Sequence, residues 1–292
     1  MDLTVHLVEL ARIKTSLQLN ILVTTALILW IWLYINQIMK QNLPIMKKWT
    51  VRLDTMAKIN VKPEYRELVK MFNDLTGSRS LWQVYNDCIE MFAISIQNAF
   101  AFGKKYKLNE EKYKQVSSNY SQSELFIISK IFAKIVEMLE DNPYRDLLGD
   151  LYMQLNMGSD ALGQVFTPYS VSYGMSEMAC DIDLIKKEIK EKGYIKIAEP
   201  SCGGGANIIS LCEVMRKNEI NYQTKCVIVC QDLSRIAALM CYIVLSLIGC
   251  SAVIKIGDTL CNPYTDYYSE IKKGSEIWTT PMFHINNCYY KV

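Results

Sequence analysis

Histidine is almost missing: His6 and His284 are the only two in 292 residues, and no Cys or His pair stands at a C-x-x-C or H-x-x-x-H spacing. That scarcity argues against a structural zinc site, and the sequence predicts no metal. An excess of charge of one sign is missing too, since 32 Lys plus Arg stand against 30 Asp plus Glu. A net charge of +2 lacks the basic surplus of a free-standing nucleic-acid binder, so any DNA contact must be local or supplied by a partner. No glycine cluster is followed by Lys-Ser or Lys-Thr, which excludes a P-loop ATPase, and CGGGAN lacks the third glycine of a dinucleotide fingerprint.

The length is ample for one large domain or two modest ones, with a core that needs no disulfide or metal staple. Ten cysteines are spread through apolar runs such as CVIVC (226–230) and MCYIVLSLIGC (240–250). There a thiol behaves as a small hydrophobe, and the set reads as reduced core residues of a cytoplasmic protein.

Residues 15–39 carry no charged side chain, enough chain for a transmembrane helix, with 19–39 its most apolar part. Trp30, Trp32 and Tyr34 sit near its end, and Lys40, Lys47, Lys48 and Arg52 follow, a bias that places the body of the chain on the cytoplasmic side of a membrane. Asn20, Thr24, Thr25 and Asn36 leave a buried core helix open as the alternative, and Met46 offers a later start. The apolar segment 1–45 is therefore set apart from a helical region at 60–160 and a third region at 161–292.

In the helical region apolar side chains recur at three- and four-residue intervals from Leu81 to Ile96, with Ser80 as the cap. A second helix is expected over 123–141, capped by Ser123 and stopped by Asn142-Pro143, and a third in YRDLLGDLYMQLNM, ending near Gly158. The polar stretch 104–122 reads as a solvated helix and loop.

After Tyr194 the pattern changes to YIKIAEPSCGGGANIISLCEVMRK: a short strand ending at Glu199, a glycine-rich turn, then a helix. Glycines let a backbone approach a ligand closely, and the unpaired N–H groups of a helix start suit a nucleoside or an anionic group. A second strand, KCVIVCQDLS, ends at Asp232 and Leu233, where a carboxylate can accept two hydrogen bonds from a ribose diol. A third, SAVIKIGDTL, ends at Gly257-Asp258. Upstream, FTP at 166–168 reads by itself as a turn before a helix, with Thr167 as cap and Pro168 at its first position.

GQVFTP at 163–168, followed about thirty residues later by EPSCGGG at 199–205, resembles the adenine-N6 DNA methyltransferase family, particularly the modification subunits of type I restriction systems. The resemblance implies an α/β Rossmann-like fold of the S-adenosylmethionine-dependent methyltransferase kind with a mainly parallel sheet, incomplete at its C-terminus, preceded by helices. It implies S-adenosylmethionine as cofactor, DNA as partner, and a specificity or other subunit. Glu199, Pro200, Cys202, Gly203 and Gly205 then lie by the methionine end of the donor, with Phe166, Thr167 and Pro168 packed over it. Asp232 falls at the ribose and Asp258 at the adenine, with Leu233 also among the donor-binding residues.

The family's N/D-P-P-F/Y tetrapeptide, which holds the target amine, has no counterpart. Asn262-Pro263-Tyr264 comes too soon after Asp258, and the expected fourth strand GSEIWTTP puts Thr279, Thr280, Pro281 and Phe283 at that position. Threonine offers no carboxamide oxygen. The resemblance thus leads to a DNA adenine-N6 methyltransferase with an altered catalytic motif, or a donor-binding regulatory relative.

Overall fold

The computed structural model describes residues 61–155, 157, 166–288 and 292. The chain divides into two units, Met1–Gln41 and Asn42–Val292, and the described residues belong to the second. The apolar segment 15–39 and the Gly163-Gln164-Val165 part of the upstream motif lie outside them. Among the described residues, no helix is long and apolar enough to cross a membrane.

Five helices come first: α1 Arg66–Asp74, α2 Leu81–Asn98, α3 Gly103–Ser117, α4 Gln122–Asp141 and α5 Leu147–Gln154. Ser80 caps α2 as the sequence predicts, its side chain accepting from the Gln83 N–H. The cap of α4 is Ser121 rather than Ser123. Ser121 and Glu124 form a reciprocal capping box that Ser123, one turn position too late, cannot make. This helix stops at Asp141 with Asn142 as its end cap, as expected. Helix α5 starts only at Leu147, where Asp146 accepts from the Gly149 N–H.

Two further helices, α6 Tyr169–Ala179 and α7 Ile182–Lys192, lead into β1 Ile195–Glu199. After the glycine turn follow α8 Ala206–Lys217, the single turn α9 Tyr222–Lys225, β2 Cys226–Asp232, α10 Arg235–Leu247 and β3 Ala252–Ile256. The described chain closes with α11 Tyr267–Lys273, β4 Ile277–Thr279 and α12 Pro281–Ile285. Pro168 is the cap of α6 and makes no side-chain cap bond, so the predicted Thr167 cap with Pro168 at the first helical position is displaced by one residue.

Among the described residues the four strands stand in the order β1-β2-β3-β4, the first three parallel. The fourth departs from expectation: β4 runs antiparallel to β3, with Val253 opposite Thr279 and Lys255 opposite Ile277. Helix α10 is buried along nearly its whole length, from Ala237 to Leu247. A helix apolar on every side must be covered on every side. Here the sheet covers one side of α10 and α2 the other. On the opposite face of the sheet Val227, Val253, Ile277, Phe283 and Cys288 form a second apolar cluster. Arg235, at the start of α10, forks onto Glu90 of α2 at 2.7 and 3.0 Å and also bonds Glu276, so the helical region and the sheet are pinned together at one guanidinium.

Candidate functional site

Parallel strands present their carboxyl ends along one edge, and a crevice there is the usual ligand position of an open α/β sheet. Glu199 pairs with Cys230, and Asp232 pairs with Ile256, two residues before Asp258. All three acidic residues therefore emerge at one edge. The glycine turn lies across it. Asp232 Oδ2 accepts the Gly203 N–H at 2.8 Å, and its Oδ1 accepts the Ser234 N–H at 2.8 Å. The Cys202 N–H reaches the Gln231 carbonyl at 3.0 Å, and Thr259 Oγ1 donates to the Pro200 carbonyl at 2.6 Å. The ends of β2 and β3 thus both hold the loop that leaves β1.

The loop needs glycine at two points. Gly203 has φ +52° and Gly205 φ +99°, left-handed values that other residues adopt at a cost. A Cβ on Gly203 would meet the Phe166 ring at 3.4 Å, and one on Gly205 would meet Cys241 Sγ at 3.2 Å. Phe166 thus covers the loop from the upstream segment, braced edge-on by Tyr152 at 5.3 Å. Its position follows from α6, which packs along α8 through a Tyr169–Glu213 bond of 2.7 Å and a Ser176–Ser210 bond of 2.7 Å.

Glu199 accepts from the Ser201 N–H at 3.3 Å and from Asn207 Nδ2 at 3.2 Å. Each carboxylate oxygen has two lone pairs, so Glu199 and Asp232 both retain acceptor capacity. Asp258 turns its Oδ1 back onto the N–H groups of Leu260 and Cys261, and these hold its carboxyl below the usual carboxylate range. Leu233 and Leu260 stand 73 % and 94 % exposed at this edge, two apolar side chains with nothing of the described chain over them. Sequence reasoning missed Leu260, Thr259, Ser234 and Asn207. Only Leu260 and Thr259 left a signal, as neighbours of Asp258 in GDTL.

Thr279, Thr280, Pro281 and Phe283 do not join this edge, contrary to expectation. Because β4 is antiparallel, its C-terminal end lies at the amino ends of the parallel strands. Thr279 stands level with Val253, three residues back from Ile256, roughly 10 Å along the strand at 3.3 Å per residue. Thr280 donates its hydroxyl to the Cys250 carbonyl at 2.6 Å and accepts the Ala252 N–H at 2.9 Å, and Thr279 bonds His284 Nε2 at 2.9 Å. All four are buried, as core residues. The Asn262-Pro263-Tyr264 turn is knitted to the sheet instead: Gln231 donates to the Asn262 carbonyl and accepts the Tyr264 N–H, both at 2.9 Å.

Two features beneath the loop were not foreseen. Cys202, Cys230 and Cys241 come together there, their sulfurs within 4.8 Å of one another. Asp146, almost wholly buried, borders Gly204, where an added Cβ would lie 3.2 Å from its Oδ1. Burial pushes the Asp146 carboxyl up to about 6, against the opposing Gly149 N–H bond. In the unfolded chain it ionises near the ordinary 3.8, so the folded state binds the extra proton between these values and stability falls as pH rises from about 4 through 6. Asp146→Asn keeps an N-cap acceptor and removes the buried charge. We expect it to be more stable than the wild type at pH 7.5 by on the order of 1–3 kcal/mol, seen as a higher melting temperature, with the difference vanishing near pH 4. Equal melting curves at both pH values would refute a charged, buried Asp146.

The family model for N-6 DNA methylase matches residues 144–289. A solved structure from Listeria monocytogenes, assigned to the class I S-adenosylmethionine-dependent methyltransferases, is 15 % identical with a TM-score of 0.37, covering 70 % of this chain and 56 % of its own. The type I restriction-modification system methyltransferase subunit from Streptococcus thermophilus is 19 % identical with a TM-score of 0.36, covering 71 % of this chain and 42 % of its own. The chain thus spans about half the length of these structures. No curated protein matches. With its glycine loop, strand-tip acids and upstream FTP segment all inside the matched half, the chain belongs to the N-6 DNA methylase family.

Proposed function

We propose that this chain binds S-adenosylmethionine at the carboxyl edge of its sheet and serves the transfer of a methyl group to adenine N6 in DNA. The observation that carries the reading is the Gly203 backbone, gripped from below by Asp232 at 2.8 Å and covered by Phe166. In this reading Glu199 receives the ammonium of the donor's methionine part, Asp232 the ribose hydroxyls, and the exposed Leu233 the purine face. Gly203 and Gly205 keep the backbone thin beside the donor. When bound, the donor supplies an electrophilic methyl on sulfonium sulfur. The chain's part is to orient that methyl toward an incoming amine and to keep water away from it. DNA and a specificity subunit are the partners this reading implies, because net charge alone does not recruit DNA.

A second reading rests on the burial of Thr279, Thr280, Pro281 and Phe283 at the far end of the sheet. A chain that holds the donor without its own acceptor-gripping residues would act as a donor-binding regulator or the donor half of an assembly. Incubating the full chain with unmethylated DNA and methyl-labelled donor separates the two. Label at adenine N6 supports the enzyme reading, and donor binding without incorporation favours the second.

A further inference from the structure

Three thiols meet under the glycine loop. Cys202 belongs to the loop, Cys230 to the α10-facing side of β2, and Cys241 to α10 itself; Cys202 is 5 % exposed and the other two not at all. Their sulfurs lie within 4.8 Å of one another. A flat three-coordinate centre with bonds of about 2.3 Å, the zinc–sulfur length, spaces its sulfurs about 4 Å apart and a pyramidal one somewhat closer, both inside that limit. Sulfur donors this concentrated select soft, thiophilic centres.

Charge decides which soft centre fits. The carboxylates whose fields reach the cluster are Asp232, toward Cys202, and Glu199, toward Cys230. A monovalent ion on three thiolates leaves two negative charges in this buried position, and a divalent ion leaves one, beside two further negative groups. Burying such charge without a cationic partner is unfavourable. A trivalent centre leaves none.

We propose that Cys202, Cys230 and Cys241 form a trithiol site for a trivalent, thiophilic centre, with arsenic(III) as its ligand chemistry. Arsenous acid is a neutral molecule in water near pH 7, and its three hydroxyls exchange for the three thiols. Three S–H and three As–O bonds break, three As–S bonds form, and three waters leave. No electron is transferred and no net charge is buried. The product ties the loop to β2 and α10 through Cys202, fixing the loop in the conformation it already has.

The test uses the reduced full chain and arsenite, and is independent of S-adenosylmethionine binding. Native mass spectrometry is expected to show one arsenic per chain. X-ray absorption at the arsenic edge of the wild-type complex is expected to show three sulfur neighbours and no oxygen, a result that depends on no variant folding. Cys230→Ala and Cys241→Ala should each weaken uptake at least tenfold. Cys212→Ala should leave it intact, although Cys212 and Cys250 form another close thiol pair at 3.6 Å. Two sulfurs and an oxygen around arsenic, uptake that survives Cys230→Ala but not Cys212→Ala, or tighter binding of zinc or cadmium at the same three sulfurs would each overturn the proposal.

Discussion

Replacing Asp232 with alanine is expected to weaken S-adenosylmethionine binding by roughly 100-fold or more, and Asp232→Asn by roughly tenfold. Two contributions add in the alanine variant. The carboxylate accepts the Gly203 and Ser234 N–H groups, so its removal leaves both donors of the loop and the α10 start without their partner. Hydrogen bonds to a charged group are worth about 1.5–3 kcal/mol each, and 1.4 kcal/mol is a tenfold change in affinity. It also removes the acceptors proposed for the ribose. Asparagine keeps one acceptor oxygen and can preserve one of the two loop contacts, which is why its effect is smaller. Far-ultraviolet circular dichroism should be unchanged in both variants, since no element depends on Asp232 alone. An affinity within threefold of wild type for Asp232→Ala would remove this residue from the site.

The largest stability effect is expected at the buried pair of Lys255 and Glu270. Lys255 is the next-to-last residue of β3 and is 1 % exposed, while Glu270 of α11 is fully buried, with 2.7 Å between Nζ and Oε2. Lys255 also donates to Asn262 Oδ1 at 3.2 Å and to the Pro263 carbonyl at 3.3 Å. Glu270→Leu strands the ammonium with neutral acceptors only, and breaking a buried pair in this way costs about 3–5 kcal/mol. Lys255→Met should cost less, because Lys273 still reaches Glu270 at 3.2 Å. The double variant Lys255→Met/Glu270→Leu should recover much of the loss, since packed apolar side chains of similar volume often replace a buried pair without penalty.

The same pair carries a pH signature. Burial raises the Glu270 carboxyl, but bonds from Lys255, Ser275, Thr265 and Lys273 outweigh it and hold it at about 2. A folded-state value below the ordinary 4.5 means that the stabilisation is complete above about pH 4.5 and is lost as pH falls toward 2. In chemical denaturation across that range the wild type should lose stability relative to the double variant as pH falls. Parallel curves would show that Glu270 does not titrate with folding. The consequence reaches the candidate site, because Lys255 and Gln231 fix the turn at 262–264 and so limit where Thr259 and Leu260 can stand.

The glycine-loop edge was legible because its signals are local. A strand, a turn that must take left-handed φ at Gly203 and Gly205, and a helix occupy contiguous residues, and the acids at 199, 232 and 258 each end a β-type run. Strand direction is not local. The three residues Ile277, Trp278 and Thr279 are all buried, so no alternation marks a face, and the segment from Gly257 to Glu276 is long enough to return on either side of the sheet. The antiparallel return took the TTPMF segment away from the edge where a parallel fourth strand would have left it. Spacing rules likewise could not foresee the thiol cluster. Cys202, Cys230 and Cys241 stand 28 and 11 residues apart, and only the packing of α10 against the loop and β2 brings them together.

Isothermal titration of the full chain with S-adenosylmethionine is the most direct test of the account. Saturable binding of one molecule per chain is predicted, strongly weakened in Asp232→Ala and retained in Thr280→Ser, whose hydroxyl serves only the far end of the sheet. Absence of heat at millimolar donor, or equal affinity for the Asp232→Ala variant, would contradict it.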